Sequence, residues 1–329
     1  MENGDLARRQ KVPEVRIFQV WETIRKKVVF QLPNVGSWFE NLAITSTGTL
    51  LATRVDVPEI WSIDPTTGEG KKLISFPSPT TSVTGIDELR PNFFAIGAGQ
   101  YDLTKGTIPG TWGVWTYDLS EPSKAPVKVT DVPPIGLLNG LATWDETHVF
   151  VVDSTFGKIF SVDVIQGTFD TVSDDELLAP GEGAFIPLGV NGIKVHPSDR
   201  HVYITNSARM FFGRLLVSAD GKAAGPVEVL ARGFLTDDFA FGPNGEDVYI
   251  TTHGSNTIVK VHIKDGGLNQ AAVEVAGDKG TLELAGGTAC AFGKGKDDTQ
   301  VLYVVCAGAL SMPVDGKVEP AKVVAVNLL

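Results

Sequence analysis

The 329-residue chain sets 28 Lys and Arg against 39 Asp and Glu, a net charge of −11 with a pI near 5.0. That balance argues against a partner built of phosphates, whether nucleic acid or an anionic membrane surface. No run of 18 apolar residues occurs, which excludes a transmembrane helix, while 43% hydrophobic residues suffice for a sizeable core.

In chain order, the opening MENGDLARRQKVPEV has no apolar signal core. The expectation is a cytoplasmic chain, or one whose leader has been removed. Residues 15–32, with VRIFQV and KKVVFQL, read as strand. From Phe39 the phrase FENLAITSTGTLLATRVDVPEIWSID begins, and its relatives recur about every fifty residues. They start at Val83, Leu138, Val190, Asp237 and Gly286, and short β-branched and aromatic runs such as HVFVV, HVYIT and DVYIT mark them. In the first copy the strands are expected over 41–45, 49–55, 60–63 and 72–76, with turns at Ser46–Gly48 and Asp64–Gly68. The 36 Gly and 19 Pro suit such turns. Six copies of an all-strand unit predict an all-β, six-bladed β-propeller with four antiparallel strands per blade, one domain spanning 1–329. The closing VVAVNLL reads as a third strand, so residues 15–32 are expected to supply the fourth strand of the last blade and close the ring. Cys290 and Cys306 are too few for a disulfide scaffold. They read as two buried thiols, with a cross-strand pairing left open.

Two connections are long, 97–112 and 170–189. Both should emerge on the face where the inner strands begin, and long loops gathered on one face carry function. The residues that open the inner strands are Glu40, Gly85, Asn139, Asn191, Asp237 or Asp238, and Gly287. Glu40, Asn139, Asn191 and Asp238 would make an oxygen cage on the axis for Ca²⁺ or another hard divalent cation. A one-residue slip would put Asp237 in place of Asp238. The plain alternative is that Asn and Asp start strands because they suit turns. Trp38, Tyr101, Trp112, Phe156, Phe185, Met210, Phe211 and Phe212 are candidate apolar walls, against the alternative of packing between blades. Arg54, His253, Asn139 and Asn191 are candidate hydrogen-bond donors. For Arg54 the alternative is a salt bridge to Asp56 or Glu40, and for His253 it is a packed loop residue. No G-x-S-x-G elbow, phosphate loop or dinucleotide fingerprint is present.

Phe39-Glu40-Asn41, Leu138-Asn139-Gly140-Leu141 with Asp153-Ser154, Val190-Asn191-Gly192 and Asp237-Asp238 resemble the inner-strand motifs of the gluconolactonase and senescence-marker-protein family. That family stands with the paraoxonases and strictosidine synthases among six-bladed propellers. The resemblance implies a metal-dependent lactone or ester hydrolase with ligands at Glu40, Asn139, Asn191 and Asp238. Two departures argue against lactonase activity: Asn41-Leu42 follows Glu40 where the family has Gly and Pro, and no clear second acid stands beside Asn139. The stretch from Phe39 is also similar to a fungal branch found with secondary-metabolite pathways, including hetero-Diels–Alderases of tropolone sesquiterpene biosynthesis. That resemblance implies apolar small-molecule substrates and a cycloaddition needing no cofactor. Polar groups such as Arg54 and His253 would be donors and the aromatic loop residues the walls. A non-catalytic scaffold using the propeller rim is the third alternative.

Overall fold

The structure is a computed structural model that describes residues 25–328 apart from 197, 200, 264 and 265. Its six four-stranded antiparallel sheets form a six-bladed β-propeller. The blades begin on inner strands Phe39–Ile44, Ser82–Arg90, Leu138–Thr143, Val190–Val195, Phe239–Phe241 and Gly287–Phe292. The last blade is completed from the other end of the chain. Arg25–Gln31 pairs with Lys322–Asn327, as expected for the closing strand. The part of that expectation covering 15–24 lies outside the described residues. Among the described residues no helix is long and apolar enough to cross a membrane.

Apolar residues are not gathered on the axis. They form layers between neighbouring blades, such as Trp112, Leu138, Val151 and Phe160 between the second and third, and Phe150, Ile204, Phe211 and Leu215 between the third and fourth. Alternation along each strand supplies both of its faces to such layers. Cys290 and Cys306 are buried free thiols whose pKa burial pushes upward.

The axis is held by polar bonds that repeat with the blades. Thr53 donates to the Thr84 carbonyl at 2.7 Å, Thr84 to Leu138 at 2.7 Å and Ser154 to Val190 at 2.6 Å. Thr205 donates to the Asp237 carbonyl, Thr251 to Thr288 at 2.9 Å and Thr288 to Phe39 at 2.9 Å. Each hydroxyl thus links one blade to the next until the circle closes on the first.

One backbone device aims the candidate site. The inner strands bulge at the same place, between Phe39 and Leu42, Leu138 and Leu141, and Val190 and Ile193. In each bulge two residues face one on the partner strand, which leaves Glu40, Asn139 and Asn191 out of the regular ladder and re-aims them. A glycine follows each Asn because the next blade is too close for a side chain. A Cβ at Gly140 would stand 2.5 Å from the Asn191 carbonyl, and one at Gly192 2.9 Å from the Asp238 Cα.

Candidate functional site

The bulged ends open into a cavity of about 310 Å³ at one end of the axis. Trp38, Tyr101, Ile186, Leu188, Leu235 and Met312 supply apolar wall, with Phe185, 95% exposed, at its edge. Glu40, Asn139, Asn191, Ser207, Asp237 and His253 supply the polar groups. Of the predicted site, therefore, Trp38, Glu40, Tyr101, Asn139, Phe185, Asn191, Asp237 and His253 come together from several blades.

Glu40 is an acid whose charged form burial disfavours. Burial and the nearby Asp238 raise its pKa to about 7, although the Trp38 indole N–H donates to Oε2 at 2.6 Å and works the other way. Asp237 is raised well above its ordinary range by burial, then by Glu40 and Asp238, with Asn191 opposing. Burial thus favours the neutral form of both acids, and the Glu40 charge adds to the effect on Asp237. His253 is held neutral instead, its pKa lowered to about 4 by burial. Its ring stacks on Trp38 at 5.2 Å between centroids. Its Nε2 lies 2.5 Å from Ser311 Oγ, while Nδ1 lies 3.5 Å from Asp237 Oδ2 and makes no hydrogen bond among the described residues.

Asp238 has a different fate from its neighbour. Its Oδ2 accepts from Asn41 Nδ2 at 3.0 Å and from Lys194 Nζ at 3.1 Å, and Oδ1 accepts the Phe239 N–H at 2.8 Å. It is 2% exposed and does not line the cavity, so Asp237 takes the axial position expected of Asp238.

The other expected residues lie elsewhere. Arg54 is paired with Asp56 and with Glu59 at 3.3 Å, which is the ion-pair alternative, and it does not reach the cavity. Trp112 is fully buried between blades with its indole N–H on Thr107 at 2.8 Å. Phe211 and Phe212 are inter-blade core, Phe212 stacked on Tyr203. Phe156 and Met210 are exposed and apart from the cavity lining. Asp153 is a loop clamp, its carboxylate accepting the N–H groups of Gly136, Leu137, Thr155 and Phe156.

Sequence reasoning missed Ser207, Leu235, Ser311 and Met312. A signal existed for one of them. Ser207 directly follows the second strand of its blade, the station that His253 occupies in the fifth.

The chemistry of the donor set fits a hard cation in part. Glu40 and Asp237 are carboxylates facing one cavity with no Lys or Arg in its lining, and Asn139 and Asn191 add amide oxygens. No three His, Cys, Asp or Glu among the described residues gather closely enough to hold a metal alone, so an ion there would depend on those amides. Asp238, engaged by Lys194 and Asn41, is not free to join them.

No protein-family model matches the chain. It is 26% identical over 310 residues to a Phoma sp. protein named "Putative hetero-Diels-Alderase", covering 84% of this chain and 85% of that one. Among solved structures it resembles a luciferin-regenerating enzyme, with TM-score 0.64 and 13% identity over 88% of this chain and 91% of that one. It also resembles regucalcin, a calcium-binding protein of Agrobacterium tumefaciens strain C58, with TM-score 0.61 and 14% identity over 92% and 98%. At such identities these two structures speak to the propeller fold alone.

Proposed function

We propose that the protein is a biosynthetic enzyme that directs a hetero-Diels–Alder cycloaddition. The partners are a quinone methide derived from a tropolone or polyketide and a terpene olefin. One observation carries the proposal: an apolar cavity of about 310 Å³ is lined by a buried carboxyl, Glu40, whose neutral form burial favours. The similarity to the Phoma sp. protein across most of both chains supports the same reaction class.

A cycloaddition requires two partners held in one orientation and a donor that polarises the heterodiene. Confinement between Trp38, Tyr101, Leu188, Leu235 and Met312 supplies the first, an effect of up to about 7–11 kcal/mol in well-ordered cases. The protonated carboxyl of the Glu40–Asp237 pair supplies the second. It donates to the carbonyl oxygen of the quinone methide, and the bond strengthens as negative charge builds there. One such donor in a water-poor site is worth about 3 kcal/mol. The Asn139 amide is a further donor, and Trp38 fixes the Glu40 carboxyl through its indole N–H. Arg54, tied to Asp56 and Glu59, has no part in this.

The test is product analysis with a quinone-methide precursor and a terpene olefin. An adduct enriched in one stereoisomer, formed equally with and without chelator, is the expected result. Chelator-sensitive lactone hydrolysis, with adducts identical to the uncatalysed mixture, would overturn it. That outcome belongs to a second reading, a metal-dependent lactone hydrolase, which the oxygen donors Glu40, Asn139, Asn191 and Asp237 favour. A divalent cation bound there would polarise an acyl carbonyl and lower the pKa of water. The side chains would hold it and the walls would seat the acyl group.

A further inference from the structure

Asp237 and His253 belong to one blade and Ser311 to the next, and all three line the same cavity. Ser311 Oγ and His253 Nε2 are 2.5 Å apart, and on the far side of the ring Nδ1 is 3.5 Å from Asp237 Oδ2. The order of atoms is hydroxyl, imidazole, carboxylate, the arrangement that activates a serine in unrelated folds. The contact to Asp237 is long, and such contacts are often loose before a ligand is bound.

The backbone holds the serine loop in place. Ala309, in a left-handed conformation with φ 58°, donates its N–H to Ala285 at 3.0 Å, and Ala307 donates to Gly286 at 2.8 Å. Glu319 N–H returns to the Gly308 carbonyl at 3.0 Å. The loop then presses on the His253 turn. A Cβ at Gly254 would stand 2.3 Å from Met312 Sδ, so the Met312 side chain lies directly over that turn. On the other side Trp38 stacks against the imidazole. His253 is thus held by the Trp38 ring as well as by its contact to Ser311.

We infer that Ser311 is a nucleophile, His253 its general base and Asp237 a positioning residue, together taking the acyl group of a small apolar carboxylic ester or lactone. This activity goes beyond the cycloaddition and does not rest on it. Ser311 Oγ bonds to the acyl carbon as its proton passes to His253 Nε2. The acyl C–O bond then breaks and the alcohol leaves with that proton. Water attacks the serine ester with His253 again accepting the proton, and the carboxylic acid departs as the proton returns to Ser311. Trp38, Leu235 and Met312 would receive the acyl chain.

The experiment treats the full-length protein with an alkyl fluorophosphonate, which forms an Oγ–P bond as fluoride leaves, followed by peptide mass mapping. One adduct per chain is expected, on Ser311, and none in S311A. Ser311 is exposed, so that substitution removes little besides Oγ. His253→Gln should slow labelling by roughly 100-fold or more. Asp237→Asn should slow it by roughly 10-fold, with Asp237→Glu recovering part of the rate, whereas a merely structural aspartate would move the melting temperature and leave the rate alone. Chelator should not change the rate. The absence of an adduct on wild-type protein, an adduct on another residue, or equal labelling of folded H253Q would each overturn the assignment.

Discussion

Asp237 and Asp238 are neighbours in sequence, yet they stand in two differently built regions. Asp238 belongs to a closed interior, where Lys194, Asn41 and a backbone N–H satisfy its carboxylate. The inter-blade layers and the ring of hydroxyl-to-carbonyl bonds have the same character. Asp237 belongs to the cavity, where it stands near Glu40 and the Nδ1 of His253, an atom with no hydrogen-bond partner among the described residues. The first region answers each buried charge with a partner, and the second leaves polar groups for a ligand. Buried charge without compensation is costly, so a fold retains it where something else is gained.

That contrast predicts stability losses from one region and altered chemistry from the other. The largest effects belong to the interior. Phe211→Ala should cost about 3–5 kcal/mol in denaturant unfolding, because the ring is 3% exposed between two blades. Lys194→Met should cost about 3–5 kcal/mol by leaving Asp238 buried beside a methyl group, and adding Asp238→Asn should recover much of it. If the single Lys194 variant is as stable as wild type, the interior does not depend on that pair.

The cavity responds to pH. Glu40 in the folded chain, with a pKa of about 7 against an ordinary 4.5, binds its proton more tightly than in the unfolded chain. Its contribution is present below 4.5 and lost as pH rises to 7, at most about 3 kcal/mol. His253, lowered from 6.5 to about 4, runs the opposite way, and its contribution is lost as pH falls between those values. Compared with wild type, Glu40→Gln should therefore gain less stability as pH falls from 8 to 5 and His253→Gln more, with Asp237, also raised by burial, adding to the low-pH gain in both variants. Melting curves at pH 5 and 8 separate the two. The smallest stability effect belongs to Tyr101→Ala, under about 1 kcal/mol for a partly exposed wall residue. Its effect should fall on the stereochemical ratio of the cycloadduct, which Phe211→Ala should not alter if the protein remains folded.

The repeating parts of the molecule were legible in the sequence because each blade restates them. Strand runs, turn residues and the closing segment follow from periodicity, and the inner-strand openings located Glu40, Asn139 and Asn191. The choice between Asp237 and Asp238 was not legible, since it depends on Lys194 of another blade pairing with one of them. Trp112 and Phe211 were read as walls because loop-adjacent aromatics serve cavities and blade junctions alike. Only tertiary packing assigns them to the junctions. Arg54 went to the acids on its own blade, a short-range competition visible in the sequence as Asp56 and Glu59. Ser311 was illegible because its base lies 58 residues away and a loop conformation, not a motif, joins them.

Infrared titration of the carboxyl groups, comparing wild type with Glu40→Gln, tests the central claim most directly. The account predicts a protonated-carboxyl band in wild type that is lost with a midpoint of about 7 and is absent or displaced in the variant. A wild-type titration complete near pH 4.5, unchanged by the substitution, would mean that the cavity holds no proton at neutral pH, and the proposed donor to the heterodiene would be gone.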